Sequence, residues 1–392
     1  MTSFGVRRIA ALSLADAQLL QWQGDLIMAR LRFATLACAV VAAVSAAPDA
    51  RAADPYFKDK TISVLVGFGA GGGVDLNARI IAQYLGGFIP GNPSVIVKNM
   101  EGGSSTKMHN YLFEVAKGDG ETIAYGPWFA VSQILDAPGI RYRYEGFSLL
   151  GAWTTGTYIM YARKDVVPGG LDDPKAILKA QGLKVGGQNP FNSFDLRMRL
   201  SLELFGLPYT YIPGYRGSSD IRPAIMRGEA NVGVDSTSGY RSVVEPTMVK
   251  PGIVQPLWSY PEKDSSGKYG QSSSAPEVPN IIEVYKRSFG KEPSGDKWRL
   301  LDLVLTLTGT ASQLVLGPPK MNAAAAADIR KGFYALAADP TFLADYAKRF
   351  GDKPQAVPRE AADKVMEILK TIDPKTKQLL KEHVESGQKA RS

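Results

Sequence analysis

Apolar residues in this chain gather in short continuous runs, and segments of helical period separate them. Ile62 to Val66 is long enough for one buried strand, and Leu76 to Leu85 behind it has helical spacing. Val95 to Val97 reads as a second strand, followed by a helix from about Thr106 to Ala116. Thr122 to Tyr125 is a third strand, ending in Gly126-Pro127-Trp128. Buried strands alternating with helices predict an α/β class with mostly parallel sheets. All three strands run into loops at their carboxyl ends, where open α/β sheets collect ligands.

A second set of elements begins at Tyr158 to Ala162, which reads as a strand crossing between lobes. Leu183 to Gly186 is a strand that stops at Gly187-Gln188-Asn189-Pro190-Phe191-Asn192-Ser193, with Ser193 as cap for a helix from Phe194 to Phe205. Tyr209 to Ile212 leads through Pro213-Gly214-Tyr215-Arg216-Gly217 to a helix from Ile221 to Arg227, and Ala230 to Val234 is a strand ending at Asp235. Residues 262–280 are rich in Ser, Gly, Pro and charge and read as an exposed loop. The remainder is helical: Lys297 to Leu307, Ala323 to Ala338, Pro340 to Phe350 and Ala361 to Thr371.

The first 53 residues read as something other than fold. Ala29-Arg30-Leu31-Arg32 is a short basic segment, and Phe33 to Ala47 is an apolar run short of the ~20 residues a membrane span needs. Ala50-Arg51-Ala52 then matches the cleavage pattern of a secretory signal. Met28 stands just before this signal, so residues 1–27 read as an upstream extension. Arg7-Arg8 is a twin-arginine pair, but Asp16, Gln18 and Gln21 interrupt any apolar region behind it. The single cysteine, Cys38, falls inside the signal, which leaves the exported chain without thiol chemistry. About 340 residues remain, enough for two lobes, since single cores stop growing near ~250–300 residues. The segment 1–53 carries five Lys/Arg against three Asp/Glu, so the net charge of +8 falls to +6 once it is removed. No basic stripe of the kind nucleic acid requires accompanies that excess. It is compatible with a small acidic ligand.

The chemistry concentrates in the loop after Val66, where five glycines fall within seven positions, at 67, 69, 71, 72 and 73. A strand, a glycine loop and a helix in that order present backbone N–H groups at a helix N-terminus, an anion site. Gly67-x-Gly69-x-x-Gly72 also satisfies the dinucleotide fingerprint, but the second strand ends Val97-Lys98-Asn99 without the acidic residue that would hold a ribose. No Gly-Lys-Ser/Thr follows, so a Walker A loop is excluded. His109 and His383 are the only histidines, and no cluster has metal-ligand spacing. Ser104 and Ser105 sit on a glycine loop without a G-x-S-x-G elbow and read as donors to an anion. Asp75 either supports the first helix with Arg79 at i+4 or faces the cleft to hold a donor on the ligand. Trp128, Phe129 and Tyr215 follow strand ends and either wall a ligand or fill the core.

These segments resemble a known family. Phe68-Gly69-Ala70-Gly71-Gly72-Gly73-Val74-Asp75 with Ala78-Arg79 is similar to the F-x-A-G-G-x-x-D-x-x-A-R signature of the Bug family, the periplasmic solute-binding proteins of tripartite tricarboxylate transporters. Val97-Lys98-Asn99-Met100-Glu101-Gly102-Gly103 resembles that family's second loop, Gly118 to Thr122 its P-D-G-Y-T, and Tyr215 to Ser218 its Y-K-G-S. The tail from Ala337 to Pro354 follows its terminal helices. The resemblance implies a type II periplasmic-binding fold, two Rossmann-like α/β lobes that close on a carboxylate, with no cofactor and no catalysis. It implies ligand contacts from Gly69, Ala70, Gly71, Gly72, Gly73, Asp75, Gly102, Gly103, Ser104 and Ser105 in the first lobe, and Phe68 beside that loop and Trp128 after its strand end join them as candidates. The second lobe would contribute Gln188, Asn189, Asn192, Ser193, Tyr215, Arg216 and Asp235. Where the family has Gly-Ala-Gly-Gly, this chain reads Gly-Gly-Ser-Ser. The expected organisation is 54–156 with 262–392 as one lobe and 157–261 as the other, in a periplasmic monomer partnered by the transporter's membrane components. The alternatives are a binding protein for an ABC-type importer or a sensor, and an exported serine hydrolase.

Overall fold

A computed structural model describes residues 54–154, 156–171, 173–263, 268–309, 311–351 and 353–389. The expected extension and signal, 1–53, lie outside the described residues. The first lobe opens with β1 (Thr61–Val66), α1 (Gly73–Leu85), β2 (Ser94–Asn99), α2 (Thr106–Glu114) and β3 (Thr122–Gly126), then α3 (Ala130–Ile134) and β4 (Ser148–Thr154). The second follows with β5 (Tyr158–Arg163), β6 (Leu183–Gly186), α4 (Ser193–Leu204), β7 (Tyr209–Ile212), α5 (Ser218–Met226) and β8 (Val232–Ser236). A helical turn, Thr237–Gly239, runs on as the π-helical stretch Tyr240–Val249 before β9 (Val254–Ser259). The chain ends with α6 (Ile281–Phe289), α7 (Gly295–Gly309), β10 (Gln313–Gly317), α8 (Ala323–Ala338), α9 (Pro340–Phe350), β11 (Gln355–Ala356), α10 (Arg359–Thr371) and α11 (Pro374–Lys389).

Two sheets result, ordered β11-β4-β10-β3-β1-β2 and β7-β6-β8-β5-β9. The expected α/β class holds, but the sheets are mixed. β1, β2 and β3 are parallel, as are β6, β7 and β8, whereas β10 runs against β3 and β4, and β5 against β8 and β9. The antiparallel strands flank the points where the chain passes between the sheets. β5 is therefore an interior strand of the second sheet rather than the crossing segment. The parallel units put the carboxyl ends of β1, β2 and β3 on one edge, and those of β6, β7 and β8 on one edge of the other sheet.

The crossing segments are tied together beside β5. Thr157 Oγ1 donates to the Tyr260 carbonyl, and Thr237 donates to the Thr157 carbonyl through its N–H at 2.9 Å and its hydroxyl at 2.8 Å. Ser274 Oγ accepts from Thr157 N at 3.1 Å. Ser274, Ala275 and Val278 are buried, so part of the expected exposed loop 262–280 braces this crossing. Beyond it, α6 packs on β9 and α7 on α4, with α11 against α7. These helices cover the second lobe, although 262–392 was expected wholly in the first. The reason is apolar surface: Leu300, Leu301, Val304 and Leu305 of α7 are buried, and Phe205 stacks on Trp258 at 5.0 Å. β10, α8, α9 and β11 do return to the first lobe.

There Trp153 anchors the core, donating from Nε1 to Tyr125 Oη at 3.0 Å and stacking on Phe342 at 5.9 Å. Gly151 lies under the Phe333 ring, where a Cβ would come within 2.2 Å of it. Gly151→Ala is expected to cost about 1–3 kcal/mol by overpacking, read as a lower urea midpoint at unchanged slope.

Candidate functional site

The first wall of the site grows from the end of β1. Gly67 has no room for a side chain, because a Cβ would lie 2.2 Å from Ser105 Oγ, and this contact clamps the two glycine loops together. Gly71, at φ 77°, turns the chain into α1, whose N-cap is Gly72. No side chain caps this helix. Asp75, 1% exposed, points back over the loop, accepting from Gly71 N at 2.8 Å, Arg79 Nε at 2.9 Å and Asn99 Nδ2 at 2.9 Å. Burial opposes its charge, but the Arg79, Gly71 and Asn99 donors outweigh it and hold the carboxyl below its ordinary pKa. Of its two readings, the structure shows helix support.

The second wall comes from the carboxyl ends of β6, β7 and β8. α5 begins behind Gly217, again with a glycine N-cap and no capping side chain. α4 is capped by Asn192, whose Oδ1 accepts from Phe194 N at 2.7 Å, so the expected cap, Ser193, is the first helical residue instead. Asp195 in that first turn accepts three hydrogen bonds on Oδ2: Gln188 N at 2.6 Å, Asn189 N at 2.9 Å and Tyr211 Oη at 2.6 Å. Burial nevertheless pushes its carboxyl up to about 7. Asp235, at the end of β8, is paired with the buried Arg222 of α5 at 2.6 Å and accepts from Tyr161 Oη at 2.9 Å. Burial works against the Arg222 charge, and Asp235 outweighs it, raising the guanidinium pKa.

The walls enclose a cavity of about 40 Å³. It has room for about three waters at ~10–15 Å³ each. Phe68, Gly69, Gly72, Gly73, Gln188 and Asp235 of the expected site line it. Val74, Tyr158, Phe194, Asp195, Met198 and the start of α5 line it too, and the sequence reading missed them. Arg222 was also missed. The signals were available: Gly217-Ser218-Ser219 repeats the glycine-before-helix pattern of α1, and Asp235 ends a strand with no basic neighbour of its own. Direct contacts join the walls around the cavity. Arg222 Nη1 donates to Gly71 O at 3.3 Å, Asn77 Nδ2 to Ser238 Oγ at 3.1 Å, and Asn189 Nδ2 to Ser104 Oγ at 2.7 Å. Arg216 lies 3.5 Å from Glu101 at the rim, an exposed pair contributing about 0–1 kcal/mol.

The remaining expected residues stand elsewhere. Trp128 belongs to the core, donating from Nε1 to Leu307 O at 2.9 Å. Ala70 and Gly71 are exposed beside the cavity, and Tyr215 packs against the interior of its own lobe. Ser105 Oγ and Ser193 Oγ are buried without a partner, outside the lining. Ser104 and Ser105 adopt left-handed φ of 50° and 69°, a conformation that costs L-residues roughly 1–2 kcal/mol each. Gly102, Gly103 and Asn189 border a second, more open groove of about 860 Å³ along α2, with Met100, Tyr111, Pro190 and Phe191. It is the larger space, yet only one helix N-terminus reaches it, whereas the small cavity receives those of α1 and α5 together. The small cavity is therefore the candidate site. Among the described residues no group of His, Cys, Asp and Glu could hold a metal ion, and no helix is long and apolar enough to cross a membrane.

No family model matches the chain, and no curated protein matches its sequence significantly. Solved structures do match its fold. The periplasmic binding protein BugD is 19% identical, with a TM-score of 0.59 over 86% of this chain and 99% of its own. Rpa4515 of R. palustris, solved with adipate, is 16% identical, with a TM-score of 0.62 over 83% and 97%. MatC (Rpa3494) from Rhodopseudomonas palustris, solved with bound malate, is 18% identical, with a TM-score of 0.56 over 85% and 99%. The chain thus has the two-lobed α/β fold of these binding proteins.

The raised Asp195 carboxyl has a consequence for stability. Between its unfolded value near 3.8 and its folded value of about 7, the native state binds more protons than the unfolded state. This group therefore stabilises below about 4, and that contribution is lost as pH rises towards 7. His109, pushed down to about 3 by burial, works in the opposite direction but is common to wild type and variant. Asp195→Asn is expected to gain stability relative to wild type across this window, by on the order of 4 kcal/mol, in urea unfolding at a series of pH values. A flat difference would show that the carboxyl is not held neutral.

Proposed function

We propose that this chain is a periplasmic solute-binding protein of the Bug type, which captures a small organic carboxylate between its lobes for a tripartite tricarboxylate transporter. The observation that carries this reading is the pair of glycine-capped helix N-termini, α1 and α5, that open on one cavity from opposite lobes. Each leaves first-turn N–H groups without a side-chain acceptor and adds the positive end of its dipole. An anion between them meets both sets of donors. A single carboxylate suits the cavity better than a phosphate, because no lysine lines it and two carboxyls, Asp195 and Asp235, already do. The fold neighbours support this, since BugD carries a binding-protein name and the others were solved with malate and adipate.

Transport would work by lobe closure. A carboxylate that touches both walls favours the closed arrangement over the open one by its differential contacts, and the membrane partner reads the closed surface. The Arg222–Gly71, Asn77–Ser238 and Asn189–Ser104 bonds would form in the same motion. The first 53 residues would direct export to the periplasm, and the monomer would act without a cofactor. Hydrolysis finds little support. Ser104 Oγ is held by Asn189, and His109 is enclosed by Tyr142, Tyr144 and Phe147, with a pKa too low for a general base.

Calorimetry against aliphatic di- and tricarboxylates, aromatic acids, phosphate and sugars tests the reading. At least one carboxylate is expected to bind and to raise Tm. Binding confined to phosphate or sugars would overturn the proposal. Gly73→Ala adds a Cβ 2.3 Å from Ser236 Oγ, where the lobes meet. It is expected to weaken carboxylate affinity about tenfold or more, by holding the lobes apart.

A further inference from the structure

The two sides of the cavity differ in hydrogen-bonding character. Donors dominate where α1 and α5 begin. Acceptors dominate around β6 and α4. All three bonds to Asp195 fall on Oδ2, and Oδ1, buried at the cavity, has no partner. Gln188, 8% exposed and also lining the cavity, leaves Oε1 without a partner. Asp235 behaves differently, since Arg222 engages both of its oxygens and Tyr161 adds a third bond. Of the two carboxyls at the cavity, one is neutralised by its own lobe and one keeps an open acceptor.

Buried polar atoms almost always find a partner, and orphaned ones call for an explanation. Here two orphaned acceptors, Asp195 Oδ1 and Gln188 Oε1, border the same small space that the helix N-termini face. No protein donor makes a hydrogen bond to either atom. A ligand seated with its carboxylate on the α1 and α5 amides brings the rest of its skeleton against this acceptor wall. A plain dicarboxylate would set acceptor against acceptor there. A hydroxyl or ammonium group would satisfy one or both atoms.

We infer that Asp195, with Gln188 beside it, selects organic acids that carry a hydroxyl or ammonium group on the carbon chain. Once the Asp195 carboxyl is ionised, above about pH 7, the Oδ1 atom accepts that donor while the carboxylate occupies the helix termini. The inference rests on the carboxylate reading of the cleft and goes beyond it by naming the substituent. Asp195 is then a specificity residue, and the backbone amides supply the common grip on the anion.

The test compares matched pairs that differ by one donor: succinate with L-malate, adipate with 2-aminoadipate, and 3-phenylpropionate with 3-phenyllactate. Each is titrated calorimetrically into the wild-type protein and into Asp195→Asn at one salt concentration and at a pH well above 7, where the Asp195 carboxyl is ionised and Oδ1 is an acceptor. In whichever pairs bind, the donor-bearing member is expected to bind wild type about tenfold or more tightly, the cost of leaving a buried acceptor unmet. In Asp195→Asn, whose side chain can present an N–H to the cavity, the preference is expected to collapse or invert. Equal or tighter binding of the unsubstituted acids by wild type overturns the inference and leaves the carboxylate reading standing. So does a preference unchanged in Asp195→Asn. Binding of none of the six acids overturns the inference, and the wider carboxylate panel then decides the carboxylate reading. The wild-type comparison decides alone if thermal unfolding shows the variant to be misfolded.

Discussion

The structure turns on a constraint at the start of two helices. Every α-helix begins with backbone donors that need acceptors, and most helices supply them from a capping side chain. In this protein α4, α6 and α8 are capped in that way, by Asn192, Asn280 and Asn322. The helices α1 and α5 are not, and glycine stands at both caps. Glycine lets the opposite lobe approach the backbone itself, as the crowding of Gly73 by Ser236 shows. The open donors are thus brought together across the cavity, where two positive dipole ends face one space. An anion there relieves both demands at once.

The rest of the architecture holds these two termini in place. Asp75 anchors the first glycine loop through Gly71, Arg79 and Asn99, so its carboxylate shapes the loop and stays out of the cavity. The buried Arg222–Asp235 pair does the same for α5 and β8, and Arg222 reaches over to Gly71 of the other wall. Thr157 and Tyr260 join the crossing segments. Ser274 braces that joint from within a segment whose composition suggested only an exposed loop.

Much of the fold was legible in the sequence because burial and period act locally. The buried strands, and helices such as Ala323–Ala338 and Pro340–Phe350, follow from runs of apolar residues and their spacing. Sheet direction was not legible, since nothing in the short runs of β5 or β10 records which way a neighbour runs. Nor was the placement of α6, α7 and α11, which depends on apolar surface exposed by α4 and β9. Half of the candidate site was visible for a local reason: Gly69 to Gly73 form a glycine loop before a helix. The other half depended on distant pairing. The engagement of Asp235 by Arg222 and the open acceptor of Asp195 arise from contacts across elements. Asp75, Trp128 and Tyr215 had sequence positions suited to ligand contact, yet the structure uses each within its own lobe.

Backbone amide resonances report the central claim most directly, because the amides themselves are the proposed ligand contacts. A carboxylate that binds, titrated into ¹⁵N-labelled protein, should shift the amides of Gly73, Val74, Ser218 and Ser219 together, with one saturation curve for both lobes. Shifts confined to one lobe, or centred on Gly102, Gly103 and Lys107 along the larger groove, would contradict the account.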